Sequence, residues 1–221
     1  WRRFGAATSW TDILRADLPA SYDGLKAAAR EIGGVQIQAS GTIGGNLCTA
    51  SPAGDSIPCL MTLNAEIELA SQRGARRLPV NGFLTGPRQT ACAPDELVTA
   101  VYVPSDAETG VGGFEKLGAR RYLVISIAMT AARLSIADGR IGDATISVGA
   151  CAPVAVRLTE LEAGLRGMAC DMAGDFIRDS RSGIMAALSP IDDVRGTAGY
   201  RRDAAAEIVT RLVERLCGEF G

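Results

Sequence analysis

A glycine-rich segment at residues 41–55, GTIGGNLCTASPAGD, constrains this chain more than any other feature. Glycine lets a backbone approach a ligand without a Cβ in the way. A run of such residues can aim successive N–H groups into one concavity that binds a pyrophosphate. Thr42, Asn46 and Thr49 add side-chain donors to the same segment. A tight surface turn is the alternative, but small and polar residues continue to Asp55, further than a turn needs, so we predict an anion-binding loop.

Length, charge and hydropathy exclude several classes of protein for this chain. Its 221 residues, 47% of them hydrophobic, can bury a sizeable core in one large or two small domains. The net charge of −2 and a pI near 5.3 give no electrostatic reason to expect nucleic acid or an anionic membrane. No apolar run approaches the ~18 residues of a membrane span, and no signal peptide is visible. We therefore expect a cytoplasmic location, and since residue 1 is Trp, we expect further chain before it.

The chemistry of the chain is restricted by what its side chains lack. It contains no histidine, which excludes Ser-His-Asp and Cys-His nucleophiles and imidazole metal sites within it. Its six cysteines are scattered without a C-x-x-C pair, so zinc and iron–sulfur spacings are missing. We predict no catalytic residue and no metal ligand in this chain. Its reactivity is expected to come from a cofactor.

Local patterns in the first half predict mixed helices and strands. Ser9 and Asp12 have the spacing of a capping box, Gly33-Gly34 is a helix stop, and residues 65–70 alternate as a half-buried strand does. The predicted elements are helices at 10–18, 19–32 and 55–63, and strands at 35–39, 65–70, 76–80 and 95–104.

The second half has a different pattern. An Asp138-Gly139 turn between two apolar runs is typical of a hairpin, although the run at 125–137 alone fits either a helix or a strand. Apolar spacing then predicts helices at 155–166, 170–179, 181–188 and 199–217. The polar stretch at 105–112 separates the halves, so we predict domains at 1–108 and 109–221.

Several motifs together resemble the FAD-binding medium subunits of molybdenum hydroxylases, the family of xanthine dehydrogenases and aerobic carbon monoxide dehydrogenases. GTIGGN at 41–46 followed by SPxxD at 51–55 resembles a flavin motif of that family. Further stretches resemble it in the same order along nearly the whole chain: VNGFxTGP at 80–87, FEKLxxRR at 114–121 and DDVRGxxxYRR at 192–202.

The resemblance implies an α+β fold: the C-terminal part of a vanillyl-alcohol-oxidase-type FAD-binding domain, then a small domain with a three-stranded antiparallel sheet and a helical bundle. It implies FAD in this subunit, with molybdopterin on a large partner subunit and [2Fe–2S] clusters on a small one. Electrons would pass from the clusters to FAD and on to NAD+ or another acceptor. The family's other glycine-rich flavin loop has no counterpart here, so we expect this chain to hold half of an FAD site.

The resemblance also assigns roles to individual residues. The residues implied in FAD binding are Thr42, Ile43, Gly44, Gly45, Asn46, Cys48, Thr49, Asp55, Leu97 and Lys116. Asp55 would accept a hydrogen bond near the ribityl or ring region, or cap the helix that begins there. Leu97 would contact the isoalloxazine, or belong to the core. Lys116 would place a cation at the pyrimidine end of the flavin, or pair with Glu115 or Glu68.

Two other functions remain open from the sequence. A stand-alone FAD-linked oxidase would oxidise its own substrate, which the lack of histidine disfavours. A cofactor-free assembly or scaffold protein would keep the fold without flavin, which the absence of the family's other flavin loop favours.

Overall fold

The computed structural model of the protein describes residues 1–220. Its first half is a mixed layer of short helices and an antiparallel sheet in the order β1-β6-β2-β3. The elements are β1 (Arg2–Gly5), α1 (Trp10–Arg15), α2 (Asp23–Glu31), α3 (Val35–Ser40), α4 (Ile43–Thr49), α5 (Ser56–Thr62), β2 (Glu66–Ser71), β3 (Gly74–Pro79), α6 (Val80–Phe83), β4 (Leu84–Gly86), β5 (Gln89–Thr90) and β6 (Leu97–Val103).

The second half is a sheet covered by helices. Its sheet order is β10-β9-β8-β7, all antiparallel, with three long strands and a two-residue β10, where three strands were expected. The elements are β7 (Val111–Leu117), β8 (Ala128–Ala137), β9 (Arg140–Gly149), β10 (Val156–Arg157), α7 (Thr159–Leu165), α8 (Ala173–Asp179), α9 (Arg181–Ala186) and α10 (Ala198–Phe220). This arrangement confirms the predicted α+β class.

Two hydrophobic clusters form the core. The first contains the buried faces of α2, α5 and β2 and extends into the second half through Phe114, Met129 and Ala131. The second lies between β8, β9 and α10, where Val209 and Leu212 are fully buried. Because strand β8 contributes to both clusters, the two halves are joined by packed apolar surface rather than by a linker alone.

Several local predictions are confirmed. Ser9 and Asp12 form the reciprocal capping box of α1, although that helix ends at Arg15 instead of Leu18. The hairpin β8–β9 turns at the predicted Asp138-Gly139 position, and β2–β3 is a hairpin that turns between Ser71 and Gly74. The apolar run before Asp138 is therefore a strand.

The predicted strand at 35–39 is wrong, because these residues form helix α3. None of its residues is buried, and Val35 and Ile37 are largely exposed. The alternation of apolar and polar residues in this segment therefore does not correspond to a buried face. An alternating pattern of only five residues is too short to distinguish a strand from a helix.

Within the described residues, no helix combines the length and the apolar character needed to cross a membrane.

Candidate functional site

A cleft of about 410 Å³ lies where three segments of the chain meet. We call it the Asp55 cleft. One wall is the end of α2, another is the α4–α5 connection, and the third is the loop that follows β7. The lining residues are Glu31, Ile32, Gly33, Asn46, Ser51, Ala53, Gly54, Asp55, Leu123, Val124 and Ile125.

Asp55 and Lys116 form a buried ion pair at this cleft. Lys116 Nζ donates to Asp55 Oδ2 at 2.7 Å, and each side chain is only 7% exposed. Ser126 Oγ donates to the other carboxylate oxygen, Asp55 Oδ1, at 2.6 Å. Helix α5, strand β7 and the approach to β8 each contribute one of these groups. The carboxylate is thereby fixed at both oxygens.

The two alternatives for these residues are wrong. Asp55 occupies the N-cap position of α5, but its side chain makes no capping hydrogen bond. Lys116 does not pair with Glu115 or Glu68, since those carboxylates face Arg215 and Arg77. Both side chains are directed to each other instead, as the burial of two opposite charges requires.

Burial raises the pKa of the Asp55 carboxyl, and the Lys116 ammonium and the Ser126 hydroxyl act against that rise. The same burial raises the pKa of Cys59, one turn along α5, well above its ordinary value. Cys59 Sγ donates to Gly24 O at 3.3 Å, which is the behaviour of an inert core thiol.

The glycine-rich motif forms helix α4 rather than an open loop. Thr42 is its N-cap, and Thr42 Oγ1 accepts from Gly45 N at 3.0 Å. The next N–H groups are also engaged, since Ile43 N donates to Thr8 O, Gly44 N to Ala6 O and Asn46 N to Thr42 O. The predicted concavity of free N–H groups at residues 43–46 is therefore wrong.

The structure separates the other predicted site residues by exposure. Ile43 and Gly44 are buried, whereas Gly45, Cys48 and Thr49 are exposed on α4. Asn46 lines the Asp55 cleft, and its Oδ1 accepts from Ser56 Oγ at 2.8 Å. This bond leaves the amide NH₂ as the donor that Asn46 can offer to a ligand.

Leu97 lies at the start of β6, opposite Ala70, and is 73% exposed. The alternative that it belongs to the core is therefore wrong. It is not among the residues that line the Asp55 cleft.

A second cavity of about 320 Å³ adjoins the first across Val124 and Glu31. Lys116, Arg120 and Arg121 supply its positive charge, and Arg120 donates to Leu123 O within the same loop. A larger cavity of about 590 Å³ lies between α7, α8 and α9, and it contains none of the residues that the sequence singles out. The convergence of charged groups, rather than volume, therefore identifies the Asp55 cleft as the candidate site.

Sequence reasoning missed Ser126 and Ser56, which hydrogen-bond Asp55 and Asn46. Ser56 follows Asp55 directly, so proximity to the motif could have indicated it. Ser126 stands in an apolar run, and nothing in its sequence neighbourhood separates it from any other serine.

Two family profiles match the chain. The one described as the FAD binding domain in molybdopterin dehydrogenase matches residues 2–106. The one described as the CO dehydrogenase flavoprotein C-terminal domain matches residues 114–216.

Known proteins match over nearly the whole chain. The nicotine 6-hydroxylase medium subunit of Paenarthrobacter nicotinovorans is 32% identical over 96% of this chain and 73% of its own length. The glyceraldehyde dehydrogenase medium chain of Sulfolobus acidocaldarius is 32% identical over 96% of this chain and 74% of its own length. A solved structure of reconstituted CO dehydrogenase from Oligotropha carboxidovorans contains a chain with a TM-score of 0.88 and 29% identity, covering 98% of this chain and 75% of that one.

Proposed function

Because this chain belongs to the family of FAD-binding medium subunits of molybdopterin dehydrogenases, we propose that its Asp55 cleft receives the flavin part of FAD. It is an oxidoreductase subunit by that membership. We further propose that it takes electrons from [2Fe–2S] clusters on a small partner subunit and passes them to NAD+ or another acceptor. Substrate would be oxidised on a large partner subunit that carries molybdopterin.

The ion pair between Asp55, which lines the Asp55 cleft, and Lys116, which lines the adjoining cavity, carries this proposal. The family resemblance assigns both residues to FAD, although 61 positions separate them in the sequence. In the structure they form one ion pair beside Asn46 and the Ser51–Gly54 turn. A site with both a fixed acceptor and a fixed cation can orient a ligand that carries donors and acceptors along one edge.

The groups at the cleft fit a flavin rather than a free phosphate. Asp55 is an acceptor and repels anions, so phosphate groups belong away from it. Asn46 and Ser51 offer neutral polar groups, and Leu123, Val124 and Ile125 offer apolar surface for an aromatic ring. FAD, when bound, supplies the two-electron chemistry that the side chains of this subunit lack.

Lys116 would act through its charge. An ammonium near a flavin favours the negative charge that develops on reduction, and so raises the reduction potential. Asp55 offsets part of this effect, because the two opposite charges are 2.7 Å apart. The ligand would therefore meet an oriented ion pair instead of a free cation.

One observation favours the cofactor-free scaffold as a second candidate. The N–H groups at residues 43–46 already have partners within the chain, so they offer no backbone cradle for a diphosphate. If the diphosphate of FAD needs such a cradle, residues outside 43–46 must supply its N–H groups.

Flavin titration of the purified chain, alone and in complex with its partner subunits, tests the proposal. We expect the complex to retain FAD, visible as flavin absorbance after gel filtration, and Asp55→Asn to weaken that retention. Asp95→Asn is the matched control, because Asp95 pairs with Arg73 at the surface. A folded complex that retains no FAD would overturn the proposal and support the scaffold.

A further inference from the structure

The motif DDVRGTAGYRR at residues 192–202 has no role in the proposed function, yet it contains the most deeply buried arginine side chain of the ion pairs, Arg201 at 1% exposure. Arg201 donates to Ile127 O at 3.1 Å and to Ile191 O at 2.8 Å, and it also bonds Ala150 O. Its guanidinium therefore ties the loop before α10 to the start of β8 and the end of β9. An arginine with this many carbonyl partners acts as a structural clamp.

The loop itself is held in a tight turn. Asp193 and Gly196 exchange two backbone hydrogen bonds, at 3.2 and 3.0 Å. Gly196 has φ +140°, and a Cβ there would lie 2.9 Å from the Tyr200 ring, so a side chain is excluded. Asp193 accepts from both Arg195 and Arg201, and the Arg195 guanidinium holds the pKa of Asp193 at about 2. Asp193 therefore stays ionised and keeps both arginines in place.

Arg195 connects this turn to the Asp55 cleft. Its Nη1 donates to the backbone oxygen of Ser126 at 3.3 Å. Ser126 is fully buried, and its hydroxyl donates to Asp55 Oδ1 at 2.6 Å. A continuous set of hydrogen bonds therefore runs from Arg201 through Asp193, Arg195 and Ser126 to Asp55.

We propose that Ser126 is a positioning residue for the Asp55 carboxylate, and that the cluster of Asp193, Arg195 and Arg201 holds Ser126 against it. With Lys116 as its only partner, the Asp55 carboxylate would be held at Oδ2 alone and could rotate about that hydrogen bond. The hydroxyl at the second oxygen fixes the plane of the carboxylate and hence the direction in which it can accept from a ligand. The predicted effect on FAD affinity rests on the proposed function, whereas the predicted effect on the titration of the Asp55 carboxyl does not.

The first experiment follows the Asp55 carboxyl without cofactor. We expect Ser126→Ala to raise the pH at which the side-chain carboxyl ¹³C signal of Asp55 titrates. The hydroxyl of Ser126 stabilises the ionised carboxylate, and the substitution removes that stabilisation. The other groups near this carboxyl are Lys116 on β7, Cys59 on α5 and Glu31 across the cleft, and all three stay in place. Ser126→Thr keeps the hydroxyl and should titrate as the unaltered protein does.

The second experiment measures FAD binding in the complex with partner subunits. We expect Ser126→Ala and Arg195→Ala to weaken FAD affinity about tenfold, as loss of a hydrogen bond to a charged group does, and their effects to be less than additive. Arg202→Ala is the matched control from the same motif, since Arg202 donates to Leu188 O, whereas Arg195 donates to Ser126 O. Arg195 is partly exposed, so its variant remains informative if Ser126→Ala does not fold.

The outcomes separate the two proposals. An unaltered complex that binds no FAD overturns the proposed function, while a shifted Asp55 titration would still support the positioning role. Unchanged Asp55 titration and unchanged FAD affinity in both folded variants would overturn the positioning role and leave the proposed function standing.

Discussion

Helix α4 and the Asp55–Lys116 pair both belong to the predicted flavin site, and they satisfy their polar groups in opposite ways. In α4, the cap at Thr42 and the carbonyls of Thr8 and Ala6 engage the N–H groups locally or from the neighbouring strand end. At Asp55, every partner of the carboxylate comes from the second half of the chain. The polar groups of the glycine motif are therefore satisfied within the first half of the chain, while the ion pair exists only because the two halves pack together.

This difference shows that a motif can be conspicuous in a sequence for packing reasons. A Cβ at Gly44 would lie 2.7 Å from Ala6 Cβ, so glycine is needed there for close contact within the chain. The polar groups that line the cleft come from less conspicuous residues, chiefly Asn46 and Asp55, and Lys116 reaches Asp55 from the adjoining cavity.

The largest expected effect is at the ion pair. Lys116→Met should lower the free energy of unfolding by about 3–5 kcal/mol, because it leaves Asp55 buried without its partner charge. Arg73→Met is the control, since the Arg73–Asp95 pair is 68% and 50% exposed and should contribute about 0–1 kcal/mol. Urea denaturation followed by circular dichroism measures both. Equal effects of the two substitutions would mean that the Asp55 pair is solvated like a surface pair.

The next effect is at the motif glycine. Gly44→Ala should cost about 1–3 kcal/mol, because the added Cβ would meet Ala6 Cβ at 2.7 Å and Ala6 O at 2.8 Å. Gly183→Ala in α9 is the control, since no atom lies within 4 Å of its added Cβ. Thermal denaturation of the two variants compares them. If Gly44→Ala is as stable as the unaltered protein, packing does not explain this glycine.

A smaller effect is expected at the helix cap. Thr42→Ala removes the acceptor for Gly45 N and should cost about 1 kcal/mol. Thr85→Ala, at an exposed position in β4, controls for the loss of a threonine side chain. Hydrogen exchange at the Gly45 amide should accelerate in the first variant only. An unchanged exchange rate would show that the cap contributes nothing to α4.

The smallest effect is a pH dependence at the surface. Arg76 holds the pKa of Glu96 at about 2, below its ordinary 4.5. The stabilisation from this pair is therefore complete above pH 4.5 and is lost as the pH falls towards 2. Glu96→Gln should show a shallower decline of melting temperature across that window. Burial gives Asp55 the opposite direction of shift, so Asp55→Asn should not reproduce this change.

The sequence predicts those parts of the fold that depend on neighbouring residues. The capping box at Ser9 and Asp12 and the turn at Asp138-Gly139 lie within a few residues of the groups they contact. The apolar stripe of α10 packs on distant strands, but its helical period is visible in the sequence. The strand predicted at residues 35–39 is wrong, because the apolar and polar residues alternate there without any of them being buried in the structure. Family resemblance selected Asp55 and Lys116 for the site, but no local pattern indicated that they pair.

Local hydrogen bonds, hydrophobic periodicity and ordered motifs are enough to predict the α+β class, the hairpins, the capping box of α1 and the family. The tertiary structure supplies the partners of Asp55, which are 61 and 71 positions away in the chain. It also decided that the glycine motif is a capped helix, since the acceptors for its N–H groups include carbonyls of Ala6 and Thr8. Burial and long-range contacts arise from the packed chain, and a linear pattern does not specify them.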